Sequence, residues 1–443
     1  MTRQFGHCVW VLGLLLCLEA TAAAQSADLS IHSFDPENGV APIEMVEGRG
    51  VKVGEGTTVH PVFGAQTGVV TNVFYQDIDT HAAGVLRLMA QVGAGSLSGL
   101  RLVPAEVAPS SEAPPKGSFE YRAELRVAYD FLLSTNDAVW DAGGLGIGAT
   151  FRGMTNPIGT WSFGFNESFT RLIRAANFET DANTNRDINS LSLNLLYHPQ
   201  GRSLAVNAYY NNVIDVFERS DQSFADRWSH RFGVRPMWRW LPETVVFGDF
   251  SWGVTSGLGN SSMAKVTSYP LQLMLGIATL ISAKTSVNLQ AGYVNGFYQT
   301  PPSYQSVTIG SQIGYRYSPL GRATLAYNLL YNDSVNANFY RDHVIMVNIE
   351  QLFAPFVFVA QPEVHFRKYE GTIVTGTMGE TTRNDLIFSL IAGLHYNFRN
   401  SLAATLDYHF STVQTDFAYM TDGIVDDPSF VRHQLLAGVR WAL

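Results

Sequence analysis

The chain repeats a two-residue alternation of apolar and polar positions. Between residues 118 and 131 every large apolar side chain occupies an odd position, whereas every charged side chain occupies an even one. A helix would distribute these charges around its surface, but a β-strand places successive side chains on opposite faces. The same period recurs in 190–198, 230–240, 286–293, 322–332, 386–399 and 402–411. The pattern therefore predicts many strands with one apolar face each.

Eighteen candidate strands follow from this period, and their connections alternate in length. The strands are predicted to start near residues 57, 85, 118, 144, 159, 189, 203, 229, 244, 269, 286, 305, 322, 342, 356, 385, 402 and 431. Short turns are predicted at 199–201, 241–243, 283–284, 318–321, 354–355 and 399–401, a Pro/Ser-rich turn at 107–117, and longer polar loops at 174–189, 215–228, 254–268, 368–384 and 413–429. Short turns on one side and long loops on the other are typical of transmembrane barrels, and an even strand count places both termini in the periplasm.

The predicted fold is all-β: a single closed antiparallel transmembrane β-barrel of 16–18 strands over residues 53–443. The barrel must close because each unpaired backbone group in hydrocarbon costs several kcal/mol. A soluble β-sandwich or propeller would also alternate, but it would bury its apolar face. The longest apolar run, 271–283, is too short and too often interrupted to be a membrane helix. Strand-end aromatics such as Trp238, Trp240 and Trp252 are expected to form the two interfacial girdles.

The first residues have the features of a cleaved Sec signal peptide, residues 1–24. Arg3 supplies a positive charge, 8–18 is apolar, and Ala22-Ala23-Ala24 offers a cleavage site before Gln25. The alternatives are a buried N-terminal helix and a lipid anchor on Cys17. Residues 25–52 are expected to be a periplasmic segment. The predicted location is the bacterial outer membrane.

Composition excludes several kinds of chemistry. Both cysteines, Cys8 and Cys17, lie in the signal segment, so the mature chain would have no disulfide, cysteine metal site or catalytic thiol. The net charge of −9 argues against a nucleic-acid partner. HExxH, GxSxG and P-loop motifs are missing from the sequence. We therefore predict a protein that is not an enzyme and has no cofactor or metal. An outer-membrane hydrolase is the alternative, with Asp342 beside His343, or Asp407 with His409.

The predicted inner face is rich in arginine. The candidate pore-lining residues are Arg87, Glu120, Arg122, Glu124, Arg126, Arg231, Arg235, Arg239, Arg316, Arg322, Arg367, Arg432 and Arg440. These charges are tolerated in a wet lumen, whereas an arginine facing lipid at the midplane costs about 2–4 kcal/mol. Such a wall would attract and orient anions. The alternative is that the charges pair across neighbouring strands and fill the interior.

The last residues resemble the C-terminal assembly signal of outer-membrane proteins. That signal has a glycine followed by aromatic or apolar residues three and five positions later, here Gly438, Trp441 and Leu443. The chain departs from it by ending in Leu443 instead of phenylalanine. The resemblance implies recognition by the barrel-assembly machinery.

Residues 53–75 are similar to the start of the β-barrel porin 2 family. The shared residues are Val53-Gly54-Glu55-Gly56-Thr57-Thr58-Val59-His60-Pro61, Gly64, Thr67-Gly68 and Asn72-Val73-Phe74-Tyr75. Beyond the first strand the resemblance to 443 is one of pattern only. It implies a channel that secretes exopolysaccharide or capsular polysaccharide, with periplasmic export and co-polymerase proteins as partners. Outer-membrane lipid and lipopolysaccharide would surround it. A general diffusion porin for small solutes is the second hypothesis.

Overall fold

A computed structural model describes most of the chain. The described residues are 50–53, 57–96, 118–157, 159–175, 184–199, 203–258, 265–373, 376–377, 379–399, 401–421 and 424–443. The predicted signal peptide, nearly all of the segment 25–52 and the predicted turn 107–117 lie outside these residues.

The described residues form strands almost throughout. The strands are β1 (Val51–Lys52), β2 (Thr58–Val70), β3 (Ala83–Gly95), β4 (Phe119–Leu133), β5 (Gly144–Thr155), β6 (Trp161–Ala175), β7 (Thr184–Tyr197), β8 (Leu204–Phe217), β9 (Arg227–Leu241), β10 (Thr244–Gly257), β11 (Leu271–Ser282), β12 (Thr285–Asn295), β13 (Gln305–Ser318), β14 (Gly321–Asp333), β15 (Ala337–Phe353), β16 (Phe356–Thr372), β17 (Thr382–Arg399), β18 (Leu402–Thr415), β19 (Tyr419–Thr421), β20 (Ile424–Asp426) and β21 (Phe430–Ala442). One short helix, α1 (Asp137–Asp141), and a 3₁₀ turn (Ser220–Ala225) lie in connections. No helix among these residues is long and apolar enough to cross a membrane.

Strands β2 to β18 and β21 form a closed antiparallel barrel of eighteen strands. Each strand pairs with the next along the chain, and β21 returns to pair with β2. This closing seam runs from Val62, opposite Ala442, to Val70, opposite Gln434. Closure leaves no sheet edge in the wall, which is what a strand structure in lipid requires. The predicted fold is confirmed.

The two ends of the barrel differ in their connections. At the end where β2 begins and β21 finishes, connections such as 242–243, 283–284, 319–320 and 354–355 contain only two residues. The opposite end carries loops such as 71–82, 258–270 and 416–429. In barrels of the outer-membrane type the short turns face the periplasm. We call the two ends the turn end and the loop end.

The exterior of the wall is apolar. Leu275, Phe232 and Phe250 are 73%, 57% and 50% exposed, respectively, and they point away from the lumen. Trp238 and Trp240 mark the turn end, and Trp252 lies toward the loop end, with exposures of 49%, 56% and 50%. So much exposed apolar surface is unfavourable in water but matches the lipid-facing band of a membrane barrel. The barrel is therefore built for a membrane.

Several strands extend further toward the loop end than predicted. β7 begins at Thr184 instead of 189, and β15 begins at Ala337 instead of 342. Asp187 and Asp215, which we had expected in loops, lie in β7 and β8. Above the lipid a strand no longer needs an apolar outer face, so the alternation fades while the backbone pairing continues.

Candidate functional site

The lumen contains two different regions. Along β15–β18, β21, β2, β3 and the part of β4 that contains Glu124 and Asp130, the inward-facing charges are buried against one another. Along β4–β14 the inward-facing side chains surround a cavity of about 470 Å³. A solute that enters the barrel would therefore meet the β4–β14 side, and the cavity is off-centre in the barrel.

The buried region consists of close ion pairs between neighbouring strands. Arg87 donates to both carboxylate oxygens of Asp130, over 2.7 and 3.0 Å. Arg367 donates two hydrogen bonds to Oδ2 of Asp342, of 3.0 and 2.6 Å, and its guanidinium lies 4.0 Å from the ring centre of Tyr340. Buried charges are tolerated when they are paired in this way. These side chains fill the interior, as the alternative in the sequence analysis anticipated.

Asp407 connects four strands at the closing seam. Its carboxylate accepts from Nε2 of Gln66 on β2 over 2.6 Å and contacts Nε2 of His395 on β17 over 3.1 Å. Arg440 on β21 places Nη2 3.7 Å from the same carboxylate. All four side chains are buried. The first and last strands of the barrel are therefore joined by side chains as well as by the backbone.

The cavity is lined by guanidinium and amide groups. The principal polar lining residues are Arg122, Arg152, Arg231, Arg235, Asn166, Asn194, Asn207, Asn211, Gln272 and Gln290. Guanidinium groups and amide nitrogens donate hydrogen bonds, and amide oxygens accept them. The wall can therefore hydrogen-bond hydroxyl, carboxylate and phosphate groups on a small molecule.

The charges at the cavity are partly compensated. Arg235 donates from Nε to Oδ2 of Asp249 over 2.9 Å, and the hydroxyl of Tyr209 donates to Oδ1 of the same carboxylate over 2.8 Å. Arg231 donates to Oε1 of Gln272 over 3.2 Å, and Arg152 donates to Oδ1 of Asn166, also over 3.2 Å. Four arginines and two carboxylates line the cavity in all, so the lining carries a net positive charge.

Three loops pack together over part of the loop end. Lys265, from loop 258–270, donates from Nζ to the carbonyl oxygens of Ala337 and Asn338 over 2.6 and 3.0 Å. It also donates to the carbonyl of Ser334 and lies 3.3 Å from Oδ1 of Asp333. This buried ammonium ties loop 258–270 to the connection between β14 and β15.

Aromatic side chains complete this cover. Tyr298, from loop 296–304, donates to Oδ1 of Asp333 over 3.0 Å, and Tyr304 packs against Tyr331 and Phe339. Burial raises the pKa of the Tyr304 hydroxyl to about 12. Burial and the nearby Asp333 carboxylate also raise the pKa of Tyr298. Both phenols therefore stay protonated at neutral pH, and Tyr304 and Tyr331 line the cavity.

The segment Asn72 to Tyr75 folds into the mouth of the barrel. Asn72 donates from Nδ2 to the carbonyl of Val431 over 3.1 Å. Tyr75 packs on the lumen-facing Ile387, Val413 and Phe430. The loop 71–82 thus covers part of the buried region.

The thirteen predicted pore-lining residues divide between these regions. Those that line the cavity are Glu120, Arg122, Arg231 and Arg235. Those buried among the paired charges are Arg87, Glu124, Arg367, Arg432 and Arg440. The other four, Arg126, Arg239, Arg316 and Arg322, lie elsewhere on the inner face. Arg126 pairs with Glu124, and Arg322 donates two hydrogen bonds of 2.8 Å to Glu350. Their roles in permeation stay predictions.

Sequence reasoning missed the amides of the lining. The alternation had placed Asn194 and Gln290 on polar faces, which was the available signal. Nothing in the sequence showed that amides from β6, β7, β8, β11 and β12 would surround one space.

The hypothetical hydrolase pair of Asp342 and His343 does not form. Neighbouring residues of a strand point to opposite faces. Asp342 is buried on the lumen side, whereas His343 is on the outer face and shares a hydrogen bond of 2.9 Å with Tyr327. In the described chain, no group of three or more His, Cys, Asp or Glu side chains is placed to hold a metal ion.

The C-terminal residues lie at the seam. A Cβ at Gly438 would be 2.2 Å from the carbonyl oxygen of Ala65, so only glycine fits this close approach of β21 to β2. Trp441 is exposed on the outer face and stacks on Phe63 with 6.1 Å between ring centres. The backbone N–H of Leu443 donates to the carbonyl of Pro61 over 3.1 Å. Recognition of these residues by the assembly machinery stays a prediction.

Comparison with known proteins yields structural similarity only. No protein-family model matches the sequence, and no curated protein matches it either. Among solved structures, the chain is similar to a BenF-like porin from Pseudomonas fluorescens Pf-5, with a TM-score of 0.45 and 9% identity over 87% of this chain and 99% of that one. It is similar to Pseudomonas aeruginosa OccK2 (OpdF), with a TM-score of 0.43 and 10% identity over 87% and 98% of the two chains. It is also similar to the siderophore receptor PirA from Pseudomonas aeruginosa, with a TM-score of 0.39 and 8% identity over 87% and 80%. The barrel assignment rests on the strand pairing described above.

Proposed function

We propose that this protein is an outer-membrane porin through which small polar solutes diffuse. The cavity on the β4–β14 side is the observation that carries the proposal. Its volume of about 470 Å³ is in the range of sites for small molecules. Its guanidinium and amide lining offers hydrogen bonds that replace those of water around a polar solute. Passive diffusion needs no catalytic group and no cofactor.

The net positive charge of the cavity lining favours anionic solutes. Four arginines, Arg122, Arg152, Arg231 and Arg235, line the cavity together with two carboxylates, Glu120 and Asp249. An excess of cationic side chains attracts anions and repels cations in a narrow polar space. We therefore expect a channel that passes small carboxylates or phosphates faster than amines of similar size.

Polysaccharide secretion, which the family resemblance implied, stays a prediction. A polymer needs a continuous passage, whereas the size of the cavity and the loops over the mouth suit single small molecules better. The periplasmic export and co-polymerase proteins implied as partners stay predictions with it.

Conductance measurement is the direct test. We expect the purified barrel to conduct ions in planar bilayers and to make liposomes permeable to small sugars and sugar acids but not to longer oligosaccharides. Replacing Arg152 and Arg231 together by glutamine should move the reversal potential in a KCl gradient toward cation preference. The matched control is Arg316→Gln, a lumen-facing arginine outside the cavity lining. A barrel that is closed to ions and to all these solutes contradicts the porin proposal.

Gene deletion separates the two functions. Lost uptake of small solutes with normal surface polysaccharide supports the porin. Lost surface polysaccharide with normal uptake overturns it in favour of export.

A further inference from the structure

We propose that the outer face of β15 and β16, near the loop end, binds a phosphorylated lipid of the outer leaflet. Arg341 on β15 is directly opposite Lys368 on β16. Arg341 is four residues from the exposed Ile345 on β15, and Lys368 is two residues from the exposed Phe366 on β16. Side chains at even spacing share one face of a strand, so both cations point away from the lumen. We call Arg341, Lys368 and the apolar residues below them the β15–β16 patch.

The charges of the patch are not balanced. Like charges directly opposite each other on neighbouring strands are destabilising. Glu370 compensates Lys368, with 2.6 Å between Oε1 and Nζ. Within the described residues no carboxylate is placed within ion-pair distance of Arg341, which is exposed. The patch therefore carries a net positive charge that an external anion would neutralise.

A second outward-facing arginine has its charge compensated by a carboxylate of the protein. Arg171, near the loop end of β6, contacts Glu218 with 2.5 Å between Nε and Oε1. This arginine needs no further anion. Arg341 has no such carboxylate among the described residues, so its exposed charge is available to an anion from the membrane.

The surface below the two cations is apolar. Phe366, Leu386 and Ile345 are 51%, 40% and 41% exposed, and they form a platform on β15–β17 toward the middle of the membrane. Lys368 and Arg341 lie at the loop end of this platform. A ligand that matches both parts has phosphate groups at the height of the cations and acyl chains along the platform. A free phosphate would contact only the two cations and not the apolar platform, so we assign the patch to a phosphorylated acyl lipid.

Native mass spectrometry of the detergent-purified barrel tests the assignment. The probe is bisphosphorylated lipid A, compared with the same lipid after removal of its phosphates and with inorganic phosphate. We expect the double variant Arg341→Gln/Lys368→Gln to bind the phosphorylated lipid about tenfold more weakly. The matched control is Lys284→Gln, an exposed lysine in the turn 283–284, which should bind like the wild type. Phe366→Ala should also weaken lipid binding, because it removes part of the platform.

Three results would overturn the proposal: equal binding of the phosphorylated lipid by the double variant, equal binding of the dephosphorylated lipid by the wild type, or displacement of the lipid by inorganic phosphate at the same concentration. Heat-modifiable gel mobility confirms that each variant is a folded barrel. Channel conductance is a separate readout, so a loss of lipid binding with normal conductance leaves the porin proposal unaffected.

Discussion

The contact between Arg235 and Asp249 sets the charge on one side of the cavity. Asp249 accepts from both Arg235 and Tyr209, and all three line the cavity. A carboxylate that is held by two donors keeps its geometry, so it compensates the guanidinium without blocking the cavity. A single substitution at Asp249 should therefore change the net charge of the cavity lining.

Replacing Asp249 by asparagine should make the channel more selective for anions. The substitution leaves the positive charge of Arg235 without its carboxylate, while the amide oxygen can still accept from Tyr209. We expect the reversal potential in a KCl gradient to move toward the chloride potential. Asp130→Asn removes the same charge from the buried region and should leave the reversal potential nearly unchanged. Equal shifts in the two variants would contradict the separation of the lumen into two regions.

Glu167 is a charged residue on the lipid-facing side of the wall. It lies between the outward-facing Phe165 and Phe169 on β6 and accepts from Nδ2 of Asn189 over 2.6 Å. A carboxylate in this environment loses solvation that one hydrogen bond does not restore.

Glu167→Leu should therefore stabilise the barrel by about 1–2 kcal/mol in lipid. The measurement is the free energy of unfolding by urea in phospholipid bilayers. Glu350→Leu, which removes a carboxylate from the inner face and from its pair with Arg322, should destabilise it. A lower free energy of unfolding for Glu167→Leu would show that this carboxylate has a stabilising partner on the outer surface.

At the scale of elements, the loop segments 265–270, 296–304 and 334–336 pack together as one unit. Lys265 binds carbonyls at the start of β15, and Tyr298 binds Asp333 at the end of β14. A buried ammonium with several oxygen acceptors holds its loop firmly, because leaving those acceptors unpaired costs about 1–3 kcal/mol each. The cover over the cavity is therefore fixed by side chains rather than by loop length.

Lys265→Met should loosen this cover. The methionine fills similar space but donates no hydrogen bond, so the loops should fluctuate between covering and uncovering the cavity. We expect larger current fluctuations in single-channel recordings and faster cleavage of the loops by added protease. Lys284→Met, in the exposed turn at the other end, should change neither. Recordings as quiet as those of the wild type would show that the aromatic contacts suffice.

At the scale of the whole molecule, the seam between β2 and β21 decides whether the barrel closes. Asp407 contacts side chains from both of these strands and from β17. Gly438 permits the close approach of the two strands. The seam joins residues that are far apart in the sequence, 364 positions in the pair Val70 and Gln434. Its formation is therefore opposed by the loss of chain entropy on closing a long loop.

Asp407→Asn should weaken this closure. The amide can still bond to Gln66, but the buried guanidinium of Arg440 loses a carboxylate, which costs about 3 kcal/mol. We expect a lower midpoint in the heat-modifiable gel assay and a lower free energy of unfolding. Glu350→Gln, in the partly exposed pair with Arg322, serves as the control and should have a smaller effect. Equal effects would mean that the seam is held by its backbone bonds alone.

The sequence by itself determined the fold class, limited the strand count to 16–18, and indicated which side chains of each strand face outward. Lipid favours apolar side chains and the lumen accepts polar ones, so the two-residue alternation indicates which face of each membrane-spanning strand meets the lipid. Residues such as Leu125 and Arg126 face outward and inward because of this local rule. It required no knowledge of which strands are neighbours.

Only the tertiary structure decided which polar side chains meet. Arg87 and Arg231 have the same local pattern, yet Arg87 is buried against Asp130 and Arg231 lines the cavity. The difference depends on the register between strands, on the loops that fold over the mouth, and on the curvature of the closed wall. These are contacts between residues distant in the sequence, and a local alternation contains no information about them.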